Sequence, residues 1–185
     1  MQYFDKIKYI GDHPKVILLD GLHLNTLVAS DIPVTDLKVW EFFGNYKFCN
    51  PGRRHGLPRI ELKFEEITKQ TTFIGESVII YNLLDEMRAN SQDARATVFR
   101  IEVSECDEQL SVVISDDGEG MSPNQEVRDG LFGFGNTTRS NGLGCALALG
   151  KVQLQKIAGD IKYKGVGIDG KGASFEMSFL KKMPM

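Results

Sequence analysis

The chain has 185 residues, of which 42% are hydrophobic and 25% charged; that balance can fill one good-sized core and excludes an unfolded polyelectrolyte. A net charge of −3 and a pI near 5.7 leave no broad basic field, so nucleic acid is not an expected partner. The start MQYFDKIKYI has no basic-then-apolar leader pattern, no stretch reaches the roughly 20 apolar residues of a membrane span, and Cys49, Cys106 and Cys145 form no C-x-x-C pair; a reducing cytoplasm is the expected setting.

In chain order, KVILLD (15–20) reads as a short strand, LKVWEFFGNYKF (37–48) is ambiguous between strand and helix, and NPGRRHGLP (50–58) is a turn-rich joint. RIELKFEEI alternates like a strand. From about residue 70 the signals sharpen: a helix over about 74–94, strands TVFRIEV and QLSVVIS joined by SECDE, and a glycine-rich loop. A second helix follows over about 142–158, with Leu143, Leu147, Gly150, Leu154 and Ile157 as its stripe. DIKYKG and ASFEMSFL, separated by VGIDGKG, read as a closing antiparallel pair. These signals divide the chain into an extension, residues 1–70, and a domain, 71–185.

Three stretches carry chemistry. In EMRANSQDA, Val78, Ile80, Leu83, Leu84 and Met87 form a core stripe, while Glu86, Asn90 and Asp93 recur at i, i+4 and i+7 on a second face of the same helix. In SDDGEGM, Asp116 emerges from a strand and is followed by Gly118 and Gly120, which sets a fixed acceptor beside backbone that another molecule can approach. Taken alone, that pattern also describes a tight turn or a calcium-like loop. In LFGFGNTTRSNGLG, glycines, Thr137, Thr138 and Arg139 lead into a helix whose N-terminal NH groups can hold an anion, although such a loop also serves as a plain connector.

The three motifs, in this order, resemble the GHKL superfamily of ATP-binding domains, and among its branches the ATP-binding domain of sensor histidine kinases. EMRANSQDA resembles the asparagine box, SDDGEGM the first glycine box, and SNGLGCALALGKVQLQKIAGDIKY with GKGASFEMSF the last glycine box and closing strands. The resemblance covers about residues 70–182. It implies a two-layer α/β sandwich of the Bergerat type, a mixed, mostly antiparallel sheet with helices on one face, that binds ATP and Mg. It implies Asn90 as the magnesium ligand, an oxygen donor suited to a cation that bridges phosphates, and Asp116 as acceptor of the adenine amino group. Gly118, Gly120 and Met121 would lie against the base, and Gly142, Leu143 and Gly144 would hold phosphates at the helix opening. Arg139, with Thr137 and Thr138, would reach the terminal phosphate.

Each assignment has a plainer rival. Glu86 reads either as a solvated helix residue or as the glutamate that the family's ATPase branches use to polarise water. Asp93 reads either as a surface residue interacting with Arg95 or Arg100 or, as assigned, as a residue that supports the site without ligating directly, and Phe132 and Phe134 are assigned to packing of a lid over 122–141. Ala173 stands where many relatives have a threonine that helps fix adenine, so recognition rests more on Asp116. No H-E-[LF]-R-T-P-like box precedes residue 70, and His13, His23 and His55 read as incidental. The expected reaction is therefore two-component phosphotransfer from ATP to a histidine on another protein or chain, with a homodimer as a possible assembly. A hydrolase or switch using Glu86, an anti-sigma-type serine kinase and a non-catalytic nucleotide-binding module are the alternatives.

Overall fold

The structure, a computed structural model, describes residues 35–49, 56–121, 130–135 and 144–182. The expected strand at 15–20, the three histidines and most of the lid lie outside them.

The ambiguous stretch resolves into two elements. Strand β1 (Thr35–Lys38) runs straight into helix α1 (Val39–Cys49). The helix buries Val39, Phe42, Phe43 and Tyr46, a spacing of three and four that lines up one face. Strand β2 (Arg59–Phe64), a 3₁₀ turn (Ile67–Gln70) and strand β3 (Thr72–Gly75) follow, and β3 pairs antiparallel with β1, Thr35 opposite Gly75.

Helix α2 (Ser77–Asp93) begins three residues later than the sequence pattern suggests. Residues 72–75 are taken by β3, whose partner β1 lies far upstream, with Lys38 opposite Thr72 and Thr35 opposite Gly75, and is invisible to local periodicity. Glu76 caps the helix, its carboxylate accepting from the Val78 and Ile79 amides at 3.1 and 2.6 Å. The stripe differs from the expected one at one place: Val78 is 61% exposed, and Ile79 takes the core position beside Ile80, Leu83, Leu84 and Met87.

Strands β4 (Val98–Cys106) and β5 (Gln109–Asp116), helix α3 (Ala146–Lys156), and strands β6 (Asp160–Val166) and β7 (Ala173–Leu180) complete the chain order. The main sheet has the order β2-β4-β5-β7-β6, with β2 parallel to β4 and every other pair antiparallel. Period-two alternation gives it two unlike faces. Phe99, Ile101 and Val103, Leu110, Val112 and Ile114, and Phe175, Met177 and Phe179 pack against the three helices. The other face is polar: one row runs Lys63, Glu102, Val113, Glu176, Lys162 across all five strands. Ion pairs link Lys63 to Glu102 at 3.2 Å and Lys162 to Glu176 at 2.8 Å. The Lys162 ammonium, helped by Ser111 and Lys164 and opposed by burial, holds the Glu176 carboxyl at about 2.

The molecule is thus a two-layer α/β sandwich. Helices α2 and α3 touch closely at Gly150, where a Cβ would fall 2.2 Å from Leu83 Cδ2. The division expected near residue 70 does not coincide with a break in packing: α1 belongs to the same hydrophobic cluster, and β2 to the same sheet, as the elements after it. Arg88, buried on α2, reinforces this by donating from Nε and Nη2 to the Pro58 carbonyl at 3.0 and 2.7 Å.

Candidate functional site

Strand β5 ends on Asp116, and the next residue, Asp117, is a second aspartate with opposite surroundings. Asp116 is 6% exposed. Its Oδ1 accepts from the Gly118 amide at 2.9 Å and the Ala173 amide at 3.3 Å, and its Oδ2 accepts from the Ser91 hydroxyl at 2.9 Å. Three elements therefore meet on one carboxylate: the turn after β5, the start of β7, and α2. A carboxylate offers about four acceptor directions, so about one remains for a further donor.

What surrounds Asp116 is backbone. Gly172 has φ +70, and a Cβ there would fall 2.0 Å from the Asp116 carbonyl oxygen; one on Gly167 would fall 2.3 Å from the same atom. The loop VGIDGKG, read from sequence only as a hairpin connection, is glycine-rich because it must press on the end of β5. On the other side the Glu119 amide donates to the Ala94 carbonyl at 2.8 Å, docking the SDDGEGM turn on the end of α2.

Asp117 faces the α2–β4 connection. Its carboxylate accepts from the Thr97 amide (2.7 Å), the Thr97 hydroxyl (2.6 Å) and the Val98 amide (2.8 Å). Burial acts to raise its pKa, but the Thr97 hydroxyl and the amide donors outweigh it and hold the carboxyl below the ordinary aspartate value. This residue braces a turn.

On α2, Glu86 and Asn90 are half-buried, Asp93 is exposed, and Ser91 and Met87 are buried. Asn90 adjoins the residue that bonds Asp116, so the asparagine box and the first glycine box meet. Arg95 and Arg100, offered as partners for Asp93, bond elsewhere, Arg95 to Glu119 at 3.2 Å and Arg100 to Glu61 at 3.1 Å. Met121 is partly buried against the core, and Ala173 is buried and presents its amide to Asp116.

Thr137, Thr138, Arg139, Gly142 and Leu143 lie outside the described residues. Gly144 has φ +63, and its carbonyl accepts from the Gly135 amide at 3.0 Å. Helix α3 starts two residues later, at Ala146, with Cys145 as its cap. Phe132 packs on the core with the Lys151 ammonium 4.7 Å over its ring, whereas Phe134 is exposed. Ser91, Asp117, Gly167 and Gly172 are the residues of this region that sequence reasoning passed over.

The sequence matches the family described as histidine kinase-, DNA gyrase B- and HSP90-like ATPase over residues 75–183, and the chain belongs to that family. No curated protein matches it in sequence. Among solved structures it resembles full-length ShkA in complex with AMPPNP, with TM-score 0.67, 19% identity, and coverage of 88% of this chain but only 35% of that one. It also resembles the mycobacterial sensor histidine kinase MprB (TM-score 0.61, 18% identity, 82% of this chain and 99% of that one). The ATP-binding domain of PrrB from Mycobacterium tuberculosis is similar as well (TM-score 0.61, 16% identity, 81% and 98%). The fold is that of the ATP-binding domains of sensor histidine kinases. Coverage of 81% or more of the chain reaches upstream of residue 75, in keeping with the shared core of α1, β2 and the later elements.

Proposed function

We propose that the chain binds Mg-ATP and passes the terminal phosphoryl group to a histidine on another chain or protein, in the manner of a two-component kinase working in the cytoplasm. The observation that carries this reading is Asp116: a buried carboxylate with acceptor capacity left over, framed by glycine backbone, one bond away from the helix that carries Asn90 and Glu86. The exocyclic amino group of adenine supplies the missing donor. Guanine presents a carbonyl oxygen there and meets unpaired negative charge, which is how a buried polar group discriminates. Gly118 and Gly120 let the ring approach backbone, with Met121 beside it.

Asn90 suits a magnesium ligand, since its amide oxygen is a hard donor on a half-buried flank of α2 next to Ser91. Bound magnesium supplies charge neutralisation across the phosphate oxygens. Gly142, Leu143 and Gly144 would hold phosphate by their backbone, and Thr137, Thr138 and Arg139 would address the terminal group. A second reading has support in Glu86, half-buried one turn ahead of Asn90: there it would polarise water, making the chain a hydrolase or switch.

Incubation with γ-labelled ATP and cell lysate separates the readings. The expected result is acid-labile label on another protein, with none on His13, His23 or His55 and only slow hydrolysis by the chain alone. Acid-stable label would identify a serine kinase, and rapid hydrolysis abolished by Glu86→Ala would identify water as the acceptor.

A further inference from the structure

The geometry points to Ser91 as a positioning residue that sets purine selectivity by locking the Asp116 carboxylate in one orientation. The inference rests on Asp116 as the base-recognising carboxylate and deepens that reading. Ser91 is 2% exposed and sits on α2, 25 residues from its partner, where nothing about helix packing requires a hydroxyl. Its single proton has two acceptors within reach, the Met87 carbonyl at 3.0 Å and Asp116 Oδ2 at 2.9 Å. A charged acceptor makes the stronger bond, so the proton goes to the carboxylate.

The consequence is geometric. The two amide donors, Gly118 and Ala173, both converge on Oδ1. With those alone the carboxylate could swing about that oxygen. Ser91 fixes Oδ2, and with it the direction in which the remaining lone pair points. Removing the hydroxyl leaves a buried space polar enough, at Oδ2 and the Met87 carbonyl, to admit water. A water there is held less firmly than a hydroxyl fixed to the helix, so Oδ2 is no longer kept in one direction and the carboxylate can turn away from a purine 6-carbonyl. The loss therefore falls on discrimination at purine position 6, beyond any loss of general affinity.

The test uses Mg-ADP and Mg-IDP, which differ in an amino group or an oxygen at that position and in the N1 proton that accompanies the oxygen, titrated calorimetrically into the full chain. Ser91→Ala should cut the ADP-over-IDP preference by about tenfold, equivalent to about 1.4 kcal/mol, with the far-ultraviolet circular dichroism unchanged. Ser91→Cys, close in volume but a poor donor, should behave the same way and serves if the alanine variant does not fold. Ser91→Thr, which keeps the hydroxyl, should return the ratio to within about threefold of the parent. An unchanged ratio in the alanine or cysteine variant overturns the inference, and so does a threonine variant as impaired as alanine, because packing would then be the cause. Asp116→Asn is the control: if it too leaves the ratio unchanged, the fault lies in the reading of Asp116 itself.

Discussion

Asp116 and Asp117 share a side chain, a strand end and a peptide bond, yet they belong to different regions of the molecule. Asp117 spends its carboxylate on the α2–β4 connection, on three donors within two consecutive residues. Asp116 gathers donors from three elements far apart in sequence and keeps acceptor capacity in reserve. The difference teaches that adjacent identical residues, one the last of a strand and one the first beyond it, can be sorted into site and scaffold by the donors that surround each. Stability should follow the first, and nucleotide selection the second.

The largest effect that would sharpen this contrast comes from Gly172→Ala. The added Cβ would lie 2.0 Å from the Asp116 carbonyl oxygen, at a φ of +70 that L side chains disfavour, so overpacking and backbone strain together should cost about 3 kcal/mol. Thermal unfolding should show that loss, and Mg-ADP binding should fail with it; a variant of parental stability would mean that the loop does not bear on β5. Next comes Asp117→Ala, which leaves the Thr97 and Val98 donors unmet and should cost about 2 kcal/mol in urea unfolding, while the folded protein keeps its adenine preference. A changed preference would break the division of labour between the two aspartates.

Acid unfolding probes the same residue. Because the folded-state pKa of Asp117 is depressed, its contribution is present above the unfolded aspartate value of about 3.9 and is lost as pH falls through the folded one. Asp117→Asn should therefore lose stability less steeply below about pH 4 than the parent. The slope should not vanish, since Glu176, held at about 2, titrates in the same direction. Asp116→Asn should have the smaller energetic effect, about 1 kcal/mol, but in the other observable, weakening Mg-ADP binding relative to Mg-GDP. Equal binding of both nucleotides by the parent would remove the role assigned to Asp116. Smallest in binding energy is Asn90→Ala, which should abolish the magnesium dependence of ATP binding and leave circular dichroism intact; parental magnesium titration would sink that assignment.

Local pattern made the strands legible. RIELKF, VFRIEVSEC, QLSVVISD and the closing hairpin read as strands because alternation is written into neighbouring residues. Features fixed by distant partners were not legible. The first residues of the expected helix became β3 because Thr35–Lys38 waits to pair with them, and Glu76 rather than a short polar residue caps what remains. The expected start of the second helix moved from about 142 to Ala146. Asn90 and Asp116 stood out through motif spacing, whereas Ser91 did not, since a serine's worth depends on what lies across 25 residues of chain.

The strand order has a consequence for synthesis on the ribosome. Strand β7 is the last of the described strands in sequence yet sits between β5 and β6, and it brings Phe175, Met177 and Phe179 to the core. Until residue 180 has emerged, β5 offers an open edge, and the apolar side of β4 and β5 has no complete partner. Long-range pairing of this kind is slow and leaves the nascent chain exposed to aggregation. Emergence of β7 from the ribosome, rather than of the nucleotide motifs, should be the moment at which this domain first becomes resistant to protease.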